Sequence, residues 1–83
     1  MSGWQFVLHQ RALEEIDQLK PVERRAVRTA LLRLVEDPWQ TPEEQIRPLN
    51  ERVYLVKNVG RIRVIYWLDA FVREVFVTRI ERA

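Results

Sequence analysis

The sequence predicts a small α+β domain of order β-α-α-β-β-β, with two N-terminal helices packed on one face of a mainly antiparallel sheet. Three observations carry this. Residues 11–36 hold two apolar stripes at helical spacing, divided at Pro21. Residues 52–82 hold successive runs rich in Val, Ile, Tyr and Phe, broken by turn residues. A short alternating run, Trp4 to Leu8, precedes both.

In that first run Trp4, Phe6 and Leu8 alternate with Gln5 and Val7, which predicts a strand. The first helix carries Ala12, Leu13, Ile16 and Leu19 on one stripe, with Arg11 three and four residues before Glu14 and Glu15. His9 falls at the strand–helix junction. Lys20-Pro21 ends this helix, because a residue before proline avoids the α region. Pro21 suits the first position of the second helix, with Glu23 near its positive end. Val27, Ala30, Leu31, Leu34 and Val35 form the second stripe, and Asp37-Pro38 stops it. Arg24, Arg25 and Arg28 lie off that stripe, on a solvated face or a partner surface.

Residues 38–51 hold three of the four prolines and read as a loop anchored by Trp39, Ile46 and Leu49, while Trp4 and Trp39 read as core anchors. Strands follow at about 53–58, 61–69 and 74–80. Asn58-Val59-Gly60 supplies the first turn, with Gly60 free to take positive φ. Asp69 to Arg73 forms the second. In the middle strand Ile62, Val64, Tyr66 and Leu68 point one way, towards the helices. Arg61, Arg63, Ile65 and Trp67 point the other. Lys57 and Arg82 are expected to join Arg63 and Trp67 on that open face. Cations inside strands must sit on a solvated face, and several together predict an electropositive surface.

With 83 residues the chain, 1–83, is read as a single domain. It has no cysteine and one histidine, so a disulfide framework and a thiolate metal site are excluded and a zinc site is not expected. No apolar run approaches the ~18 residues of a membrane span. The start lacks the pattern of a signal peptide, so a cytoplasmic protein is expected. The formal charge is only +2, but it is unevenly placed: residues 1–51 carry seven cations against nine anions, and residues 52–83 seven against three. Twelve of the fourteen cations are Arg, which grips phosphate or carboxylate in a fork.

Several segments resemble the RelE/ParE toxin superfamily of bacterial type II toxin–antitoxin systems. Residues 11–19 look like that family's first helix. Glu36-Asp37-Pro38 resembles its helix-ending segment, and Arg47-Pro48-Leu49 its approach to the sheet. Val59-Gly60-Arg61-Ile62-Arg63-Val64-Ile65-Tyr66 is similar to its Gly-x-x-Arg-Val-x-Tyr hairpin, and Thr78 to Arg82 looks like its closing strand. The resemblance covers nearly the whole chain. It implies a RelE-like ribosome-dependent mRNA endonuclease that inhibits translation, or alternatively a ParE-like DNA gyrase poison or a relative that only binds an antitoxin. Family ribonucleases continue past the last Arg with a Tyr or His, whereas this sequence stops at Ala83, which favours the alternatives.

Carried over by position, the resemblance makes Arg63, Arg82 and Lys57 the candidate catalytic residues. Attack of a 2′-hydroxyl on the neighbouring phosphate needs no metal and no small-molecule cofactor. It needs the extra charge on the phosphate stabilised, which Arg63 and Arg82 can do in bidentate fashion. Lys57 can neutralise phosphate or carry a proton. Arg61, Arg52 and Trp67 are candidate nucleic-acid contacts; Trp67 either packs, meets an antitoxin, or stacks on an unpaired base for roughly 1–3 kcal/mol. The plain alternative for Arg63 is an ion pair with Glu74 or Glu81. Expected partners are a cognate antitoxin and the ribosome with its mRNA (or gyrase). Ile65 and Trp67, exposed beside cations, are expected to receive an acidic-apolar antitoxin segment.

Overall fold

The computed structural model describes residues 3–49 and 52–82. The two ends of the sequence, Ala83 included, and the last two residues of the expected loop lie outside the described residues. The elements are β1 (Gln5–Leu8), α1 (Gln10–Asp17), α2 (Pro21–Glu36), β2 (Glu44–Ile46), β3 (Tyr54–Val59), β4 (Ile62–Asp69) and β5 (Glu74–Arg82). They build one five-stranded sheet of order β1-β5-β4-β3-β2. Among the described strands only the β1–β5 pair is parallel. The helices bridge β1 to the rest of the chain and cover one face.

Local chemistry sets the helix ends. His9 stands extended at the start of α1. Lys20 is extended too (φ −65°, ψ 153°), as the residue before proline must be, and Pro21 opens α2. Glu23 reaches back to accept the Lys20 N–H at 3.0 Å, satisfying an amide that the helix itself leaves orphaned.

The core lies between helices and sheet. Ala12, Leu19, Val27, Leu31 and Leu34 meet Ile62, Val64, Tyr66, Val75, Val77 and Ile80, all buried. This is the expected face of β4, and most of both helical stripes. Leu13 is the exception: it stays half exposed because α1 is only two turns long and its far side meets solvent.

The expected loop at 38–51 contains a strand. Glu44-Gln45-Ile46 has no alternating pattern, and pairing creates it: β3 offers an unpaired edge, and the Glu43 N–H donates to the Val56 carbonyl at 2.9 Å. Nor do Trp39 and Leu49 anchor this segment, being 68% and 89% exposed; Pro38 is buried and Ile46 half-buried instead. Trp39 meets Trp4 edge-on at 5.8 Å, and Trp4 packs against the core. The first turn is tighter than expected. Val59 pairs with Ile62, leaving Gly60-Arg61 as a two-residue loop, with Gly60 at φ +60°.

One irregularity decides where the cations go. Ile65 pairs with Arg79 but Tyr66 pairs with Val77, so Thr78 is an extra residue on β5. Its hydroxyl donates to the Ile65 carbonyl at 3.2 Å. Before this bulge Val75 and Val77 face the helices. After it the phase switches, so Ile80 and Arg82 face the helices while Arg79 and Glu81 face outward.

Candidate functional site

The pairing of Ile62 with Arg82 gathers three arginines at one end of the sheet. Arg61 sits in the β3–β4 turn, Arg63 on β4 beside Ile62, and Arg82 is the last residue of β5. They straddle the sheet rather than share a face. Arg63 points outward. Arg82 points to the helix side, because the bulge at Thr78 has reversed the strand's phase. Lys57 also lies on the helix side, paired with Val64 and two strands, roughly 10 Å, from β5. The open face expected to hold Arg63, Lys57, Arg82 and Trp67 together therefore holds only Arg63 and Trp67.

Each of the three candidate catalytic cations meets a carboxylate. Arg63 Nη2 lies 3.1 Å from Glu44 Oε2, and its Nη1 lies 3.8 Å from Glu81. Arg82 donates twice to Glu23, at 2.6 and 2.7 Å. Lys57 Nζ lies 3.3 Å from Glu43, which also accepts the Asn58 N–H at 3.2 Å. On the outer face these pairs extend into a ladder of alternating charge, Glu44–Arg63–Glu81–Arg79–Glu15, whose last two links are 3.7 and 3.2 Å. The expected electropositive face is thus largely neutralised. Exposed pairs of this kind contribute only ~0–1 kcal/mol each, so a phosphate can replace a carboxylate at small cost. Arg61 is exposed and makes no ion pair or hydrogen bond among the described residues.

The pairing shifts the titration of its acids. The Arg82 fork and the Lys20 amide hold the Glu23 carboxyl below its ordinary value, and Glu23 raises Arg82 in return. Burial pushes Glu43 upward, but the Asn58 amide and Lys57 outweigh it and leave that carboxyl lowered. Tyr66 is pushed up to about 12, by burial first and then by the charge of Glu43. Lys57 borders a cleft of about 550 Å³ shared with Thr29, Arg33, Asp37, Gln40 and Asn58.

Arg52 and Trp67 sit elsewhere. Trp67 is four residues along β4 from Arg63, roughly 13 Å away. The Arg52 guanidinium stands 3.6 Å over the Trp67 ring, and Phe76 stacks on it at 4.5 Å and 7°. Arg52 comes from the β3 side and Phe76 from β5, so both faces of the ring are covered. Of the three readings of Trp67, the ring shows packing: Phe76 and Arg52 cover it. Ile65, expected to be exposed, is 7% exposed and packs beside Val56. The side chains around this outer hollow are His9, Ile46, Tyr54, Thr78 and Arg79.

Glu43 and Glu44 lie in the segment expected to be a loop, where nothing in the local pattern marks them as partners of Lys57 and Arg63. The one available signal was the pair of acids two strands away from the arginines. Glu23, expected as a helix-start acid, also receives Arg82. Among the described residues no cluster of three or more His, Asp or Glu is placed to hold a metal ion, and no helix is long and apolar enough to cross a membrane.

No protein-family sequence model matches the chain, and no curated protein is significantly similar to it in sequence. Solved structures are similar in fold. The toxin–antitoxin complex RelBE2 from Mycobacterium tuberculosis contains a chain that superposes with TM-score 0.83 at 17% identity, over 96% of this chain and 98% of that one. The archaeal RelE–RelB complex from Pyrococcus horikoshii gives 0.79 at 12%, over 96% and 94%. The isolated RelE toxin of E. coli gives 0.75 at 20%, over 96% and 84%. The β-α-α-β-β-β expectation, extended by the short strand β2, is therefore realised as a known architecture: the chain has the fold of the RelE toxins.

Proposed function

We propose that this protein is the toxin of a type II toxin–antitoxin module and acts as a RelE-like, ribosome-dependent mRNA endonuclease in the cytoplasm, with a cognate antitoxin as its partner. The observation that carries the reading is the Ile62–Arg82 register, which sets Arg61, Arg63 and Arg82 at one end of a RelE-type sheet. The full-length fold likeness to toxins solved with RelB antitoxins supports it.

An RNA backbone crossing that end meets Arg61 first, since that exposed side chain pairs with no described residue. Arg63 and Arg82 then exchange carboxylate for phosphate. Their guanidiniums present paired N–H donors to non-bridging oxygens and stabilise the charge that builds as the 2′-hydroxyl attacks. Arg stays protonated throughout, so it acts by electrostatics and not as a base. Lys57, on the helix side, neutralises an adjacent phosphate or carries a proton. Trp67 contributes a stack only where a base displaces Arg52.

The test is cleavage of a programmed mRNA on purified ribosomes, mapped by primer extension. Wild-type protein is expected to cut. Folded Arg63→Ala and Arg82→Ala proteins are expected to lose at least two orders of magnitude in rate, as removal of oxyanion donors does. Uncut mRNA with wild-type protein, or full activity in both variants, overturns the reading.

A further inference from the structure

His9 is the one histidine of the sequence. Its backbone serves the strand–helix junction: the N–H donates to the Val77 carbonyl at 3.0 Å, and the carbonyl accepts the Leu13 N–H at 2.9 Å. Its side chain does not. A residue in this position usually turns a short polar side chain back onto the first free amides of the helix. The His9 ring makes no such bond and the residue is exposed. Phe76 meets the ring edge-on at 6.3 Å and sets its tilt.

Phe6 and Leu8 pack on the helix side, so His9 falls on the outer face of the sheet, beside the bulge at Thr78. There it borders a hollow of about 370 Å³ with Arg79, Tyr54 and Thr78, over Ile46 and Ile65. Arg79 joins this hollow to Arg63. The two guanidiniums lie 3.7 and 3.8 Å from the two oxygens of one carboxylate, Glu81. A phosphodiester that displaces Glu81 sits between the same two guanidiniums, with the imidazole on its Arg79 side. Attack by a 2′-hydroxyl also needs a group to take its proton. Arg63 and Arg79 stay protonated, and Lys57 faces the other side of the sheet and holds Glu43. An imidazole exchanges its proton between about pH 5 and 8. The charged and titratable groups that face the ring are Arg79 of β5, with Glu15 of α1 on its guanidinium at 3.2 Å, and Tyr54 of β3. β2 and β4 present Ile46 and Ile65 to the hollow.

We infer that His9 is the general base of the cleavage, an assignment that rests on the endonuclease reading. Its unprotonated ring nitrogen takes the proton of the 2′-hydroxyl as that oxygen bonds to phosphorus. The bond from phosphorus to the 5′-oxygen breaks, and the leaving oxygen takes a proton from solvent. His9 then returns its own proton to solvent, so the cycle closes with no net change. The products are a 2′,3′-cyclic phosphate and a 5′-hydroxyl end. The hollow holds the nucleotide that supplies the 2′-hydroxyl, with Tyr54 and the imidazole flanking it and Arg79 on its phosphate.

The test is single-turnover cleavage of a programmed mRNA on purified ribosomes, followed across pH with the wild-type chain and His9→Asn. Asparagine is a favoured residue at a helix start but takes no proton. His9→Asn is therefore expected to hold or raise the melting temperature while its cleavage rate falls about 100-fold or more. The wild-type rate is expected to climb as the imidazole deprotonates and then level, and this limb is expected to vanish in the variant. In His9→Ala, added imidazole is expected to restore part of the rate, which a merely structural role of the ring would not allow. A His9→Asn protein that cuts at the wild-type rate, or that cuts slowly with the wild-type pH limb intact, overturns this inference alone. Wild-type protein that leaves the mRNA uncut overturns the endonuclease reading, and this inference with it.

Discussion

Arg82, at the end of β5, holds Glu23 of the first turn of α2 through two hydrogen bonds of 2.6 and 2.7 Å. The same carboxylate accepts the Lys20 amide at 3.0 Å. One side chain therefore closes the helix start and fastens the last strand to it. The contact depends on the extra residue Thr78, without which Arg82 would point to the opposite face.

This contact gives an acid dependence. Glu23 is held below its ordinary value of 4.5 by Arg82 and by the Lys20 amide. A lowered carboxyl stabilises the fold fully above its unfolded value and loses that contribution as pH falls through the lower, folded one. Thermal unfolding followed from neutral to acid pH is expected to show this limb in the wild type. Glu23→Gln removes its share, so the two melting curves should converge towards low pH. A constant gap at every pH speaks against it.

The ladder across the outer face is expected to restrain RNA binding more than it stabilises the fold. Glu44→Gln/Glu81→Gln should change stability by less than about 1 kcal/mol, since exposed pairs contribute little. It should tighten association with single-stranded RNA several-fold at low salt, because two anions beside Arg63 are gone. Fluorescence anisotropy with a labelled oligonucleotide reads the second effect, and unchanged or weaker binding contradicts it.

Arg52 covers one face of Trp67. Arg52→Ala should cost about 0.5–1 kcal/mol of stability, the range of an exposed cation–π contact. It should also expose the indole to iodide, read as a steeper quenching slope. An unaltered slope would mean the ring is shielded some other way.

Tyr66 is fully buried and its hydroxyl has no hydrogen-bond partner among the described residues. Leaving a buried polar group unpaired costs about 1–3 kcal/mol. Tyr66→Phe is expected to hold or raise stability in chemical denaturation, and to remove a phenolate transition near pH 12 from the ultraviolet titration. The raised value stabilises the fold below the ordinary tyrosine range and is lost as pH climbs through about 12. A marked loss of stability in the variant would reveal a bond to the hydroxyl. Leu34, wholly buried against the sheet, sets the opposite scale: Leu34→Ala should cost about 2–5 kcal/mol.

The elements that bury a face were legible from the residues. Val27, Leu31 and Leu34 at helical spacing, and Ile62, Val64 and Tyr66 at strand spacing, each mark a surface that water excludes. Glu44–Ile46 buries almost nothing, so its strand is written in β3's open edge and not in its own side chains. The site was harder to read for a related reason. Alternation along β5 assigns each residue a face only while the register is regular. The spacing of Val75, Val77 and Ile80, two and then three, was the one trace of the bulge that redirects Arg82. Ion pairs left a weaker trace still: Glu43, Glu44 and Glu23 reach their cations from other elements, so no local spacing announces them.

The most direct test of mRNA cleavage in the cell is pulse-labelling of protein and DNA synthesis in bacteria after induced expression of the chain. Protein synthesis is expected to fall first, and Arg63→Ala, folded and equally abundant, to abolish the fall. DNA synthesis failing first, or neither failing while soluble protein accumulates, would contradict it.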